Sequence, residues 1–117
     1  MENARAYSDV VKSFDASAEF EALRAPGGSF NAAETCCDRH AHDAGRIALR
    51  YRAADGEDGE WSFAEFQRHS IRLANSLAAL GIGKGDPVAV MLPRTPELVI
   101  AALAIWRLGA IYQPLFT

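Results

Sequence analysis

The sequence predicts an α/β fold, and three observations carry that prediction. Residues Ile47 to Arg52 alternate, with Ile47, Leu49 and Tyr51 set against Ala48, Arg50 and Arg52, as in a half-buried strand. Val88-Ala89-Val90-Met91-Leu92 is a continuous apolar run, the pattern of a parallel strand buried on both faces. A helical segment then leads to a further strand-like stretch, Ile111 to Leu115. Strand, helix, strand at this spacing is a βαβ unit, for which parallel strands and a right-handed crossover are expected.

The elements follow in chain order. Tyr7, Val10, Val11 and Phe14 fall on one helical face, with Phe20 and Leu23 continuing it after Asp15, until Pro26, Gly27 and Gly28 stop it. Asn31 is placed to cap a helix from Ala32 to about Asp43, with Gly45 as its exit. The strand from Ile47 to Arg52 leads through a loop, Asp55 to Gly59, to a return starting at Trp61, which predicts a β-hairpin. Ser62-Phe63-Ala64-Glu65 is a capping box, in which each end residue satisfies an amide of the other. The long helix it opens carries Phe66, Leu73, Ala74, Leu77 and Leu80 on one face, with Glu65, Arg68, His69, Arg72 and Asn75 largely on the other, and ends at Gly81. The last helix spans about Pro96 to Leu108, capped by Thr95, with Pro96 at its first position and Gly109 as its left-handed exit.

That last helix is apolar without a break from Leu98 to Trp106, so its whole circumference calls for burial. Two central strands and their neighbours give few elements to wrap it. The expectation is a truncated domain, whose further layer lies in sequence outside these 117 residues.

Composition narrows the function. Twelve basic against fifteen acidic residues, a net charge of −3, without Lys/Arg clusters, provide no electrostatic footprint for nucleic acid or an anionic membrane. The longest apolar run is about half the ~20 residues a membrane helix needs, and the N-terminus has no signal-peptide pattern; a cytoplasmic protein is expected. The two cysteines, Cys36 and Cys37, are adjacent and cannot staple distant segments.

Few residues suggest chemistry. Gly81-Ile82-Gly83-Lys84-Gly85 follows a helix and precedes a strand, the reverse of a phosphate loop, and reads as a helix exit and turn. Cys36, Cys37, His40 and His42 are metal-ligand types, yet neighbours on a helix diverge by about 100° and no second cluster completes four ligands, so no metal is expected. Pro93-Arg94-Thr95 lies at the carboxyl end of a parallel strand and the amino end of a helix, the usual ligand crevice of an open α/β sheet. Arg94 and Thr95 are therefore the candidate binding residues, although Glu97 already compensates the helix dipole there. No catalytic triad is visible, and His69 reads as a surface residue.

Two stretches resemble the adenylate-forming, or AMP-binding, ligases. Trp61-Ser62-Phe63-Ala64-Glu65-Phe66 looks like their first core motif, and Leu108-Gly109-Ala110-Ile111-Tyr112-Gln113-Pro114-Leu115 is similar to their second. Leu73-Ala74-Asn75, Leu80 to Asp86 and Val88 to Pro93 keep the family's order between them. Phe30-Asn31-Ala32 with Cys37-Asp38-Arg39-His40 resembles the opening segment of its acyl-CoA and acetyl-CoA synthetase branch. The likeness covers about residues 28 to 117. Residues 1–29 read as a helical extension, and the likeness implies over 30–117 an incomplete N-terminal part of the large domain of adenylate-forming enzymes.

The implied reaction joins a small carboxylic acid to coenzyme A through an acyl adenylate, with ATP, CoA and Mg²⁺ as cofactors of the full-length enzyme and none bound by this segment alone. The family's phosphate loop, ribose-binding acid, hinge and C-terminal lysine would lie beyond Thr117, so the resemblance assigns no catalytic residue here. The short stretch from Phe20 to Ser29 inclines the likeness toward a broader or medium-chain acyl-CoA synthetase. Two alternatives stand beside it: a free-standing α/β interaction or nucleotide-binding module, and a thiol or metal protein using Cys36 and Cys37.

Overall fold

The computed structural model describes residues 6–24 and 29–116. It divides into two units, one reaching Phe30 and one starting at Asn31. In the first, the apolar stripe forms two helices, α1 (Tyr7–Ser13) and α2 (Ala16–Ala22). They are separated because Asp15 adopts extended backbone and caps α2, its carboxylate accepting from the amides of Ser17 and Ala18. Tyr7, Val10, Val11 and Phe14 are all exposed. The expected stop at Pro26-Gly27-Gly28 lies outside the described residues.

The second unit is a mixed α/β structure. Its elements are α3 (Ala32–Cys36), a 3-10 turn (Asp38–His40), β1 (Ile47–Arg52), β2 (Asp58–Ser62), α4 (Phe63–Ala79), β3 (Pro87–Val90), α5 (Pro96–Arg107) and β4 (Ile111–Pro114). β1 and β2 pair antiparallel, and β3 and β4 pair parallel, as expected of a hairpin and a βαβ unit.

α3 is shorter than its sequence suggests. Cys37 leaves helical geometry at φ −125° and ψ −61°, and the chain tightens into the 3-10 turn, which delivers Asp38 to Arg107 of α5. A tertiary ion pair here overrides local helix continuation. Gly45 is not among the glycines with positive φ, so it is no left-handed exit. Gly81, at φ +92°, and Gly109, at φ +66°, do occupy the left-handed region, as their helix ends require.

In the hairpin, Leu49 and Tyr51 are half-buried while Arg50 and Arg52 face solvent and pair with Glu60 and Asp58 at 2.6 and 2.7 Å. Tyr51 opposes Gly59, and its ring lies where a Cβ at Gly59 would sit. The capping box at the head of α4 is complete: Ser62 N–H donates to Glu65 Oε2 at 2.8 Å, and Glu65 N–H donates to Ser62 Oγ at 3.2 Å. Phe66 and Ala74 of the predicted apolar face are buried and Leu73 and Leu77 half-buried, but Leu80, at the end of the helix, is 80% exposed. Ser70, on the same helix, is fully buried.

α5 holds the unit together. Ala101 to Ile105 are five consecutive buried residues, which at 100° each cover the full circumference. Leu103 packs with Ala33, Cys37 and Phe66; Ala101 and Ile105 pack with Val90 and Ala110. The expectation that so short a chain could not wrap this helix is therefore corrected: α3, α4 and the parallel pair cover most of it, leaving Val99 and Trp106 partly open. β3 is the element that departs from expectation. Val90 is buried and Val88 half-buried, but Ala89, Met91 and Leu92 are exposed, so the strand is covered on one face.

Candidate functional site

The parallel pair places its carboxyl ends side by side, Leu115 N–H donating to the Val90 carbonyl at 2.8 Å. Beyond them the chain turns sharply, Thr95 N–H donating to the Pro93 carbonyl at 2.8 Å, and Pro96 starts α5 without an amide to satisfy. Between these ends lies a cleft of about 240 Å³, walled by Leu92, Leu98, Tyr112 and Leu115, with Arg94 among its lining residues. This is the crevice that the sequence singles out.

Arg94 is exposed and Thr95 half-buried at the N-cap position of α5. Thr95 does not cap through its side chain; its hydroxyl instead hydrogen-bonds the Glu97 carboxylate, which also accepts from its own amide and is held below the usual glutamate range by these two bonds. An anionic side chain thus already occupies the amino end of α5, where a bound phosphate would otherwise gain from the dipole. Arg94 is the one charged residue lining the cleft, and Thr95 lies outside its lining. The turn sets no nucleophile against a base, and the arrangement can pair with an anion but cannot transfer a group.

The thiols and imidazoles fall on α3, the 3-10 turn and the residues between and beyond them. Cys36 is exposed and Cys37 buried, its Sγ 3.4 Å from the Phe63 carbonyl. Burial, reinforced by the Asp38 charge, pushes the Cys37 thiol up to about 11, so it is protonated and unreactive at neutral pH. His40 lies against the Phe63 ring at 5.0 Å, its pKa lowered by desolvation and the nearby positive charges of Arg46, Arg39 and His42. His42 Nδ1 is 3.1 Å from the Arg39 carbonyl. Among the described residues, no three Cys, His, Asp or Glu side chains converge on a metal position. His69, read from sequence as a surface residue, is half-buried and stands edge-on to Trp61 at 5.2 Å.

The best-ordered polar group was not legible in the sequence. Arg107 at the end of α5 forms a bidentate pair with Asp38, at 2.5 and 2.6 Å, and its Nε donates to Ser70 Oγ at 3.0 Å. Asn31 adds to it, accepting from Ala33 N–H and donating to the carbonyls of Trp106 and Arg107. The network joins α3, the 3-10 turn, α4 and α5, and its role is architectural. One sequence signal was available: a single arginine ending an otherwise apolar helix needs a partner when that helix is buried. Beside the same layer an apolar hollow of about 460 Å³ is lined by Cys36, Leu49, Phe63, Ala102, Trp106 and Tyr112.

Comparison with known proteins adds what this geometry lacks. The family model described as AMP-binding enzyme matches residues 34–117. The acetyl-coenzyme A synthetase of Gemmatimonas aurantiaca is 38% identical over 113 residues, covering 92% of this chain and 17% of that protein. Acetyl-coenzyme A synthetase 2 of Zygosaccharomyces bailii is 46% identical over 91 residues, 76% of this chain and 14% of its own length. The crystal structure of a Brucella canis acyl-CoA synthetase superposes with a TM-score of 0.80 at 47% identity, over 95% of this chain and 20% of that one. The chain therefore spans between 14% and 20% of the length of these relatives. With most of its residues matching the family model, and its fold matching a member's at close to half identity, the chain belongs to the AMP-binding enzyme family.

Proposed function

We propose that this chain is part of an ATP-dependent acid–CoA ligase. In that reaction a carboxylate attacks the α-phosphorus of ATP and expels pyrophosphate, and the thiol of coenzyme A then displaces AMP from the acyl adenylate. The observation that carries the reading is the joint match of sequence and fold, over nearly the whole chain, to the Brucella canis acyl-CoA synthetase. The residues in hand do not themselves fit the cofactors. Among the described residues no three Cys, His, Asp or Glu side chains gather to hold a metal ion, and Glu97 occupies the first turn of α5. No step of the chemistry is assigned to them; their part is to frame the domain, with residues 1–29 as a helical extension and 30–117 as a portion of the ligase domain. The substrate is a small carboxylic acid, acetate or a longer homologue, and the cell compartment is the cytoplasm. No helix among the described residues is long and apolar enough to cross a membrane.

A chimera tests this. Residues 31–117 replace the matching stretch of the Brucella canis enzyme, and thioester formation is measured with ATP, Mg²⁺, CoA and acids from acetate to octanoate. Activity within about tenfold of the parent, a barrier change near 1.4 kcal/mol, is expected. A folded chimera without activity contradicts the proposal. ATP binding by the 117-residue chain alone would instead support a free-standing nucleotide-binding module.

A further inference from the structure

Phe63, the first residue of α4, gathers the segments that precede it. Its N–H donates to the Arg46 carbonyl at 3.1 Å, and its own carbonyl lies 3.4 Å from Cys37 Sγ. Its ring meets the half-buried imidazole of His40 at 5.0 Å and the Arg46 guanidinium at 5.6 Å. His40 is the last residue of the 3-10 turn whose first residue, Asp38, grips Arg107. Phe63 and Arg107 thus hold one three-residue turn by its two ends. The charges around His40 are one-sided: Arg46 beside the same ring, Arg39 within the turn and His42 beyond it all oppose a proton there. Neighbouring carboxylates are committed elsewhere, Asp38 to Arg107, Asp43 to the Gly45 amide and Glu65 of α4 to Ser62. Among the described residues His40 forms no ion pair.

We propose that His40 is a proton-sensitive latch on the 3-10 turn: neutral, it rests on Phe63 and keeps Asp38 in place for Arg107; protonated, it leaves the ring and the turn opens, loosening the polar lock on α5. An imidazolium is ordinarily drawn to an aromatic face. Here Arg46 already shares that ring, so a second cation beside it is repelled as well as desolvated. Burial first, and then the positive charges of Arg46, Arg39 and His42, hold the pKa of the closed turn below the ordinary 6.5, so the open turn binds the proton more tightly. The contribution of neutral His40 is therefore complete above about 6.5 and is lost as pH falls from there through the lowered value. The latch belongs to the fold itself and does not rest on the ligase reading.

The Ala41 amide, which closes the turn on the Asp38 carbonyl at 3.0 Å, reports the latch. Its hydrogen-exchange protection, taken relative to an unstructured peptide at each pH, is measured in the 117-residue chain from pH 7.5 to 5.5. A fall of about threefold or more across that range is expected, with the Ile105 amide of α5 better protected than Ala41 throughout. Constant protection, or protection that grows in acid, overturns the proposal. So does equal protection of Ala41 and Ile105, which places the response in unfolding of the whole unit. His40→Gln should make the Ala41 profile flat. Arg46→Gln, at an exposed position, keeps the imidazole and removes the cation nearest it, and should shrink the pH dependence without abolishing it. A wild-type profile in either variant overturns the latch. The His40 ring, titrated by NMR in the same chain, should protonate below 6.5; a value at or above 6.5 overturns it as well.

Discussion

The two sides of α5 differ in how far the chain completes itself. Toward α3 and α4, Leu103 meets Ala33, Cys37 and Phe66, and the layer is locked at its end by Arg107, Asp38, Ser70 and Asn31, with each buried polar side chain among the described residues partnered. Toward the sheet, Ile105 and Ala101 meet Val90 and Ala110, but the strands beyond them are bare: Met91 is 62% and Ile111 55% exposed. The first side is finished at its polar end, although an apolar hollow of about 460 Å³ remains beside Cys37, Phe66 and Leu103; the other is half an interface along its strands. The difference teaches that an apolar helix does not by itself locate missing neighbours, since the helix that most calls for burial is the best buried element, and the uncovered surface belongs to the strands it packs on.

The polar lock should give the largest effect. Arg107→Ala leaves Asp38 and Ser70 without their partner in a site that is largely shielded, and is expected to cost about 3 kcal/mol or more. Urea unfolding followed by Trp61 and Trp106 fluorescence reads it; a loss below about 0.5 kcal/mol would show the pair to be solvated, like the exposed pairs of the hairpin.

Ser62→Ala removes the cap of α4 and is expected to cost about 1 kcal/mol near neutral pH. The bonds from Ser62 also hold Glu65 below its ordinary pKa, so their contribution is present above the unfolded carboxylate value, about 4.3, and is lost as pH falls through the folded one. Alanine keeps the Ser62 amide, so the gap between wild type and variant should narrow in acid by the part owed to the hydroxyl–carboxylate bond. A gap that widens there would contradict the assigned box.

Gly59→Ala should have a smaller effect, because the added Cβ meets the Tyr51 ring, which can swing toward solvent. A loss of about 1 kcal/mol is expected, largely recovered in Tyr51→Ser/Gly59→Ala; a loss unchanged by the second substitution would place the strain in the backbone. The smallest perturbation is chemical. A thiol reagent at pH 8 should modify Cys36 quickly and Cys37 only in denaturant, and rapid labelling of both would show that the finished side of α5 opens readily.

What the sequence made legible is what is local. The capping box at Ser62 and Glu65, Pro96 at the start of α5, and the glycine exits at Gly81 and Gly109 are decided within a few residues and stand where they were expected. What it concealed depends on packing. α3 stops at Cys36 because Asp38 is drawn to a residue 69 positions away, and Ser70 is buried where that same arginine finds its second partner. The candidate site was legible as a position, the turn at Arg94 and Thr95, but not in its detail: Thr95 spends its hydroxyl on Glu97 rather than on the helix amides. Thr95 stands at the N-cap position, but the expected cap does not form, because a neighbouring carboxylate competes for its hydroxyl.

The contrast between the two sides is tested most directly by residue-resolved amide exchange on the 117-residue chain. The prediction is that the amides of Ala101 to Ile105 exchange only on global unfolding, while Ala89 exchanges close to the rate of an unprotected amide. Rapid exchange throughout α5, or an Ala89 amide as protected as Ile105, would contradict the division into a closed and an open side.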